Sequence, residues 1–307
     1  MIYYRFKTRS SYYFPRINSK GKFIYSLYGN YGSKATKLYW WLFRNLSLFR
    51  WLHITNSSNV ENFDIIQSLI GDECVFGINM GTPGPEQKKS ILGYNVITGE
   101  IFFAKFATKE KAKKLSANEI KVYQTLADSG LVPVLYDYSI TPDYVFLKCE
   151  CYKGKHIDHF LTDEQVLTIL NVLQNYHFEE NVEQIDGLKT CFAHNDFCLW
   201  NMLSVNGHVC LVDWEMAGEF PIGHDLFTYI FQTTFFIRNA VPTSIVLKNN
   251  LQLIKKYFGD IDYIPYLKHF VDYKINFFSS GQNPYGLKRY MHVIWTKTHR
   301  KELQTKL

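Results

Sequence analysis

Residues 194–215 restrict this chain more than any other stretch. His194-Asn195-Asp196 is followed by Asn201, and Asp213-Trp214-Glu215 closes the segment. Between them, Met202–Val205 and His208–Val212 read as two short strands around Asn206-Gly207. That dipeptide supplies the two positive-φ positions of a type I′ turn. The far strand of such a hairpin delivers Asp213 to the neighbourhood of the loop that carries Asp196 and Asn201.

The preceding residues supply a frame. Residues 74–80 and 91–97 are apolar runs either side of a loop rich in Gly, Pro and Lys, and 101–107 follows a tight turn at Thr98-Gly99. Together they predict an antiparallel meander. Residues 109–127 favour helix, with Ile120, Tyr123, Gln124 and Ala127 on one face. Two more strands are expected at 134–139 and 144–149. An amphipathic helix follows at 163–179, with Val166, Ile169, Leu170, Leu173 and His177 on its apolar face. From Leu226 onward the pattern is helical. This order implies an α+β protein, with a small β-rich lobe carrying one main helix and a larger helical lobe. Composition shifts divide the chain into a basic aromatic extension (1–60), an N-lobe (61–152) and a C-lobe (153–307).

With 47% apolar and 20% charged residues, the 307-residue chain has ample core to bury, and global disorder is excluded. Charge is unevenly placed. Residues 1–60 carry ten basic residues and no Asp or Glu, 61–272 carry a net −10, and 273–307 a net +6. The six cysteines form no CxxC pair, so reduced thiols are expected. The start lacks a secretory apolar region, and Leu38–Leu52 is too short and too charged to span a bilayer. A cytoplasmic protein, soluble or peripheral on a membrane, follows. The first 60 residues also hold 16 aromatics. Within Lys37–Leu52, Trp40, Trp41, Arg44, Leu48 and Trp51 suggest an amphipathic cationic helix suited to an anionic membrane surface. The alternative is an arm packed on the N-lobe. Nucleic acid would meet the same charge, but no recognition fold is evident.

Asp196, Asn201 and Asp213 are the residue types that phosphoryl transfer needs. A carboxylate orients a hydroxyl and accepts its proton, and oxygen ligands hold the Mg²⁺ that neutralises phosphate charge. The segment resembles the aminoglycoside phosphotransferase and choline kinase superfamily, whose fold is similar to protein kinases. That family shows His-Gly-Asp-x4-Asn, a hairpin, Ile-Asp-Trp-Glu and often Asp-Pro-x-x-Asp-Leu. This chain has Leu211-Val212-Asp213-Trp214-Glu215 and Pro221-Ile222-Gly223-His224-Asp225-Leu226. The resemblance implies an ATP- and Mg²⁺-dependent kinase of bilobal fold, with Asp196 as base and Asn201 and Asp213 on the metal. His194 and Asp225 would support the loop. Upstream, a lysine on the third strand should hold nucleotide phosphates and pair with a helix glutamate. Lys105 fills the first role and Glu119 the second, with Glu110 as the alternative.

The loop 80–90 departs from the glycine-rich pattern of kinases. Gly81 and Gly84 would let backbone approach phosphate, with Lys88 or Lys89 adding charge. Asn195 replaces the family's glycine, and Asn tolerates positive φ. Glu150, Cys151 and Tyr152 fall where the family's hinge contacts adenine. The resemblance implies a small-molecule or saccharide acceptor, with a lipid-linked alcohol at the membrane face in surface-polysaccharide synthesis as one reading. An antibiotic-modifying kinase and a catalytically silent binding module are the alternatives. Trp214, Glu215 and Glu219 would favour a cationic acceptor.

Overall fold

Apolar and aromatic residues at near-alternating positions draw the first part of the chain into one antiparallel sheet. A computed structural model describes residues 2–16, 19–29, 33–152, 154–176, 183–238 and 242–279. His177 and the basic residues from Lys288 to Lys301 lie outside the described residues. The chain divides into two units, Met1–Ile120 with Pro133–Cys151, and Lys121–Val132 with Tyr152–Leu307.

The first unit opens with β1 (Ile2–Lys7) and β2 (Ser11–Pro15). A 3₁₀ segment, Ser19–Leu27, leads to α1 (Lys34–Asn45), α2 (Ser47–Trp51) and β3 (Ile54–Asn56). Helix α3 (Phe63–Ile70) precedes the meander β4 (Cys74–Asn79), β5 (Lys88–Asn95) and β6 (Ile101–Ala107). Helix α4 (Glu110–Thr125) crosses to β7 (Leu135–Ile140) and β8 (Val145–Glu150). The eight strands form one sheet in the order β3-β1-β2-β4-β5-β6-β8-β7. Its core gathers Tyr3, Phe63, Ile66, Phe76, Ile91 and Phe102 in one cluster and Phe6, Phe14, Tyr28, Trp40 and Phe43 in another.

One of two alternatives is met here, and two expectations change. The basic aromatic extension packs within the first unit, because β1 pairs with β2 and β2 with β4. Strand β5 starts and ends earlier than expected. Asn95 Oδ1 accepts the backbone N–H groups of Ile97 and Thr98, a local turn that stops the strand and leaves Ile97 exposed. The buried line of α4 runs through Ala112, Ser116, Glu119, Ile120 and Tyr123, whereas Gln124 and Ala127 are exposed.

The second unit begins with β9 (Lys155–His156) and α5 (Asp163–Gln174). A capping box starts α5: Thr162 accepts from the Gln165 N–H, and the Gln165 side chain accepts from Thr162. Then come β10 (Gln184–Ile185), β11 (Leu188–Ala193), the hairpin β12 (Met202–Val205) and β13 (His208–Leu211), and β14 (Gly218–Pro221). Helices α6 (His224–Arg238), α7 (Thr243–Phe258) and α8 (Ile264–Ser279) complete it, with α7 and α8 both against α6. Strands β10, β11 and β14 form one sheet, and β13, β12 and β9 another. Asn206 (φ 51°) and Gly207 (φ 85°) make the expected hairpin turn.

Candidate active site

The loop between β11 and β12 carries Asp196, and its shape is set by Asp225. That carboxylate, buried in the first turn of α6, accepts the backbone N–H of His194 (2.6 Å) and of Asn195 (2.9 Å). Burial raises the pKa of Asp225, while His194, the two amides and Lys274 oppose that shift. His194 accepts the Asp196 N–H at Nδ1 (3.3 Å), so Nε2–H donates to the Val212 carbonyl (3.1 Å). The His194 imidazole thereby joins the Asp196 loop to the end of the hairpin. Val212 N–H returns a bond to the Asn201 carbonyl (3.0 Å), which fixes Asp213 one residue beyond.

Asn195 shows why a residue other than glycine can stand here. Its φ is 65°, the left-handed region that Asn tolerates. Its side chain donates to Met216 O (3.3 Å) and Tyr273 Oη (3.1 Å), and its Oδ1 accepts from His224 Nε2 (2.9 Å). Three tertiary bonds thus replace the freedom of a glycine.

Asp196 is half-buried and held on one side. Oδ2 accepts from Asn201 Nδ2 (2.9 Å) and Trp200 Nε1 (3.3 Å). Among the described residues, Oδ1 meets the Cys198 thiol (3.4 Å), a weak donor. Oδ1 is therefore the oxygen with lone-pair capacity for an incoming proton. Asn201 Nδ2 also donates to the Asp196 carbonyl (3.0 Å), which leaves Asn201 Oδ1 as the group that could bind a cation. Asp213 adopts the left-handed region (φ 68°, ψ 53°), a conformation unfavourable for a residue with a Cβ. A carboxylate and an amide oxygen are the hard donors that Mg²⁺ takes.

Lys274 on α8 is a site residue that sequence reading missed. It is buried, and its Nζ donates to the Asn195 carbonyl (3.2 Å). Burial lowers its pKa, and Asp196, Asp225 and Cys198 oppose the shift. It belongs to the positive C-terminal stretch. Its signal in sequence is nil, because only the packing of α8 brings it to the loop. Trp200 was also missed, although it lies inside the motif.

In the first unit, Lys105 on β6 and Glu119 on α4 form a buried pair. Nζ lies 2.8 Å from Oε1 and 2.7 Å from Oε2, and Glu119 is fully buried. Glu110 instead pairs with Lys113, with its side chain largely exposed. The 80–87 loop is tied down. Gly81 (φ 70°) could not carry a Cβ, which would sit 2.2 Å from the Lys88 carbonyl oxygen. Its N–H goes to Asn79 Oδ1 (3.1 Å), and its carbonyl accepts from Ser10 Oγ (2.8 Å). Gly81 therefore builds the turn rather than offering its N–H to a ligand. Gly84 is open, with its carbonyl accepting from Lys109 (2.8 Å). Lys89 is buried over the Phe106 ring and beside Glu61 (3.7 Å), so it is not the loop's mobile charge. Glu150 ends β8 with its N–H on the Val134 carbonyl, and the boundary between the units falls between Cys151 and Tyr152. Trp214 is fully buried, stacked on Phe192 and 4.4 Å from the His194 ring. It cannot meet a cationic acceptor. All six cysteines are free thiols.

Residues 162–244 match the model of the phosphotransferase enzyme family. No curated protein matches the chain by sequence. Among solved structures, the chain is similar to the amicoumacin kinase hAmiN in complex with AMP-PNP, Ca²⁺ and Ami. That match has a TM-score of 0.51 at 10% identity, over 80% of this chain and 93% of that one. It is also similar to the aminoglycoside phosphotransferase APH(3'')-Id from Streptomyces rimosus. There the TM-score is 0.48 at 11% identity, over 66% of this chain and 94% of that one. At such identity the likeness to the amicoumacin kinase is one of fold, and it is the bilobal kinase-like α+β fold expected from the sequence.

Proposed function

We propose that this chain, which has a kinase-like fold and matches the phosphotransferase enzyme family over residues 162–244, moves the γ-phosphoryl group of ATP to a hydroxyl of a small molecule. The observation that carries this reading is the Asp196 carboxylate. Two donors anchor its Oδ2, and its Oδ1 stands with lone-pair capacity in a loop braced by Asp225.

The acceptor hydroxyl gives its proton to Asp196 Oδ1 as its oxygen attacks the γ-phosphorus, the bond to the β,γ-bridging oxygen breaks and ADP leaves, while Asn201 and Trp200 keep the carboxylate from rotating away. Asn201 Oδ1 and Asp213 would hold Mg²⁺, which supplies charge neutralisation on the phosphates when bound. Lys105, oriented by Glu119, binds nucleotide phosphate oxygens. Gly84 offers open backbone to the same phosphates, and the Glu150–Tyr152 stretch is assigned to adenine. His194 and Asp225 hold the loop's shape, and Lys274 places a positive charge behind it. A saccharide or lipid-linked alcohol is the acceptor class this reading favours, because the basic aromatic N-terminal segment suits a membrane face.

The test is Asp196→Asn with ATP, Mg²⁺ and a pool of hydroxyl acceptors that includes aminoglycosides. Turnover is expected to fall by at least about a hundredfold, the scale of a lost general base. Nucleotide binding, read by calorimetry, should persist. A variant that turns over at the wild-type rate would remove Asp196 from its role. Absence of turnover in the wild-type chain with every acceptor, alongside a co-purifying partner, would favour the silent binding module.

A further inference from the structure

The first unit carries a cationic and aromatic pocket, apart from Lys105 and Glu119. A pocket of about 560 Å³ opens between the 3₁₀ segment and α1, lined among others by Lys22, Tyr25, Tyr28, Lys37, Trp41 and Arg44. Among the described residues, three cations face it and no carboxylate does. This follows from sequence, since no Asp or Glu occurs among residues 1–60.

Trp41 and Arg44 both line the pocket and are exposed on α1. Trp40 and Phe43 point inward and are buried. Leu38, Trp41, Leu46, Leu48, Trp51 and Leu52 lie outward, each between 44% and 84% exposed. Six large apolar side chains exposed within 15 residues form a patch that water alone does not favour. Lys34, Lys37 and Arg44 are exposed among them. A soluble anion would satisfy the cations and leave the apolar face wet. An anionic bilayer satisfies both, because Trp sits at headgroup depth while Lys and Arg meet phosphate.

We propose that the α1–α2 face docks on anionic phospholipid. A headgroup phosphate enters the pocket beside Lys22, Lys37 and Arg44, while Trp41, Leu48, Trp51 and Leu52 enter the headgroup–acyl boundary. The surface lies within the first unit and does not rest on the transfer reaction. Among the described residues no helix is long and apolar enough to cross a membrane, so the binding is interfacial.

The full chain is floated with vesicles of phosphatidylcholine alone and of phosphatidylcholine with phosphatidylglycerol. Binding is expected to the anionic vesicles and to weaken as salt rises. Lys37→Glu with Arg44→Glu should weaken it about tenfold or more. Trp41→Ser with Trp51→Ser should remove what remains at low salt. All four side chains are exposed, so circular dichroism should show each variant folded. Equal binding to both vesicle types, or anionic binding indifferent to the charge reversals, would overturn the proposal. So would binding of inorganic phosphate without binding of vesicles, which would give the pocket to a soluble anion. A concentration-dependent dimer abolished by the tryptophan substitutions, without vesicle binding, would assign the face to a second copy.

Discussion

Lys105 and Glu119 concentrate charge where water is absent. The lysine is 7% exposed and the glutamate 0%, with both carboxylate oxygens within 2.8 Å of Nζ. Removing one partner leaves the other charged and buried, a loss of about 3–5 kcal/mol in comparable pairs. Lys105→Met is therefore expected to lower the unfolding free energy by an amount of that order, read as a lower denaturant midpoint. Lys105→Met with Glu119→Leu should recover most of it, since a matched apolar pair costs little. A double-mutant cycle by chemical denaturation reads this directly, and a double variant no more stable than the single one would show the pair to be stabilising in itself. The pair was legible because the family resemblance calls for a third-strand lysine and a helix glutamate, and the patterning of β6 and α4 shows where each falls. Lys274 was not legible, because its bond to the Asn195 carbonyl depends on how α8 packs.

Helix α6 begins where the Asp196 loop is anchored, and its first residue titrates. His224 is buried among Phe220, Phe270 and Tyr273 and bonds Asn195 Oδ1 through Nε2. Burial holds its pKa well below 6.5, reinforced by Lys274 and His269, which face it from α8. A depressed folded pKa means that the unfolded chain binds the proton first. The stability this histidine contributes is present above pH 6.5 and lost as pH falls, at about 1.4 kcal/mol per pH unit once the unfolded histidine is protonated. Buried Asp225 works in the opposite direction, since its raised pKa favours the fold on acidification. The comparison that isolates His224 is thus wild type against His224→Gln. Between pH 7.5 and 5.5 the melting temperature of the variant should fall less than that of the wild type, and equal falls would reject the assignment. Elements with strong local chemistry, such as the Asn206-Gly207 hairpin and the Lys/Glu-rich α4, could be read from sequence. Strands β1 and β2 could not. Tyr3 and Tyr13 pack in one cluster while Tyr4, Phe6 and Phe14 pack in the other, so the alternation that marks a half-exposed strand is erased.

At the scale of the whole molecule, the segment that looked detachable in sequence is part of the first unit's frame. Strand β2 pairs with β4 through Tyr12 and Asn79 and through Tyr13 and Ile78. Tyr3 Oη donates to the Phe76 carbonyl, and Ser10 Oγ reaches both Asn79 and Gly81 at the start of the 80–87 loop. Tyr3, Phe6, Phe14 and Phe43 are all 0% exposed. At roughly 1.5–3 kcal/mol for each buried large side chain, these four alone contribute on the order of 6–12 kcal/mol. A whole domain is stable by about 5–15 kcal/mol. Removing residues 1–56 would also leave β4 as a long apolar edge, which promotes aggregation. A chain of residues 57–307 is therefore expected to be insoluble or to lack a cooperative unfolding transition. Exposed-face substitutions at Trp41 and Trp51 should leave that transition in place, because they remove no buried contact. Expression of 57–307 with a full cooperative transition, read by calorimetry, would show that the three N-terminal strands are an accessory to the sheet. Failure of that chain to fold makes vesicle binding a property to be tested by point variants, since truncation removes α1 and α2 and destroys the sheet along with them.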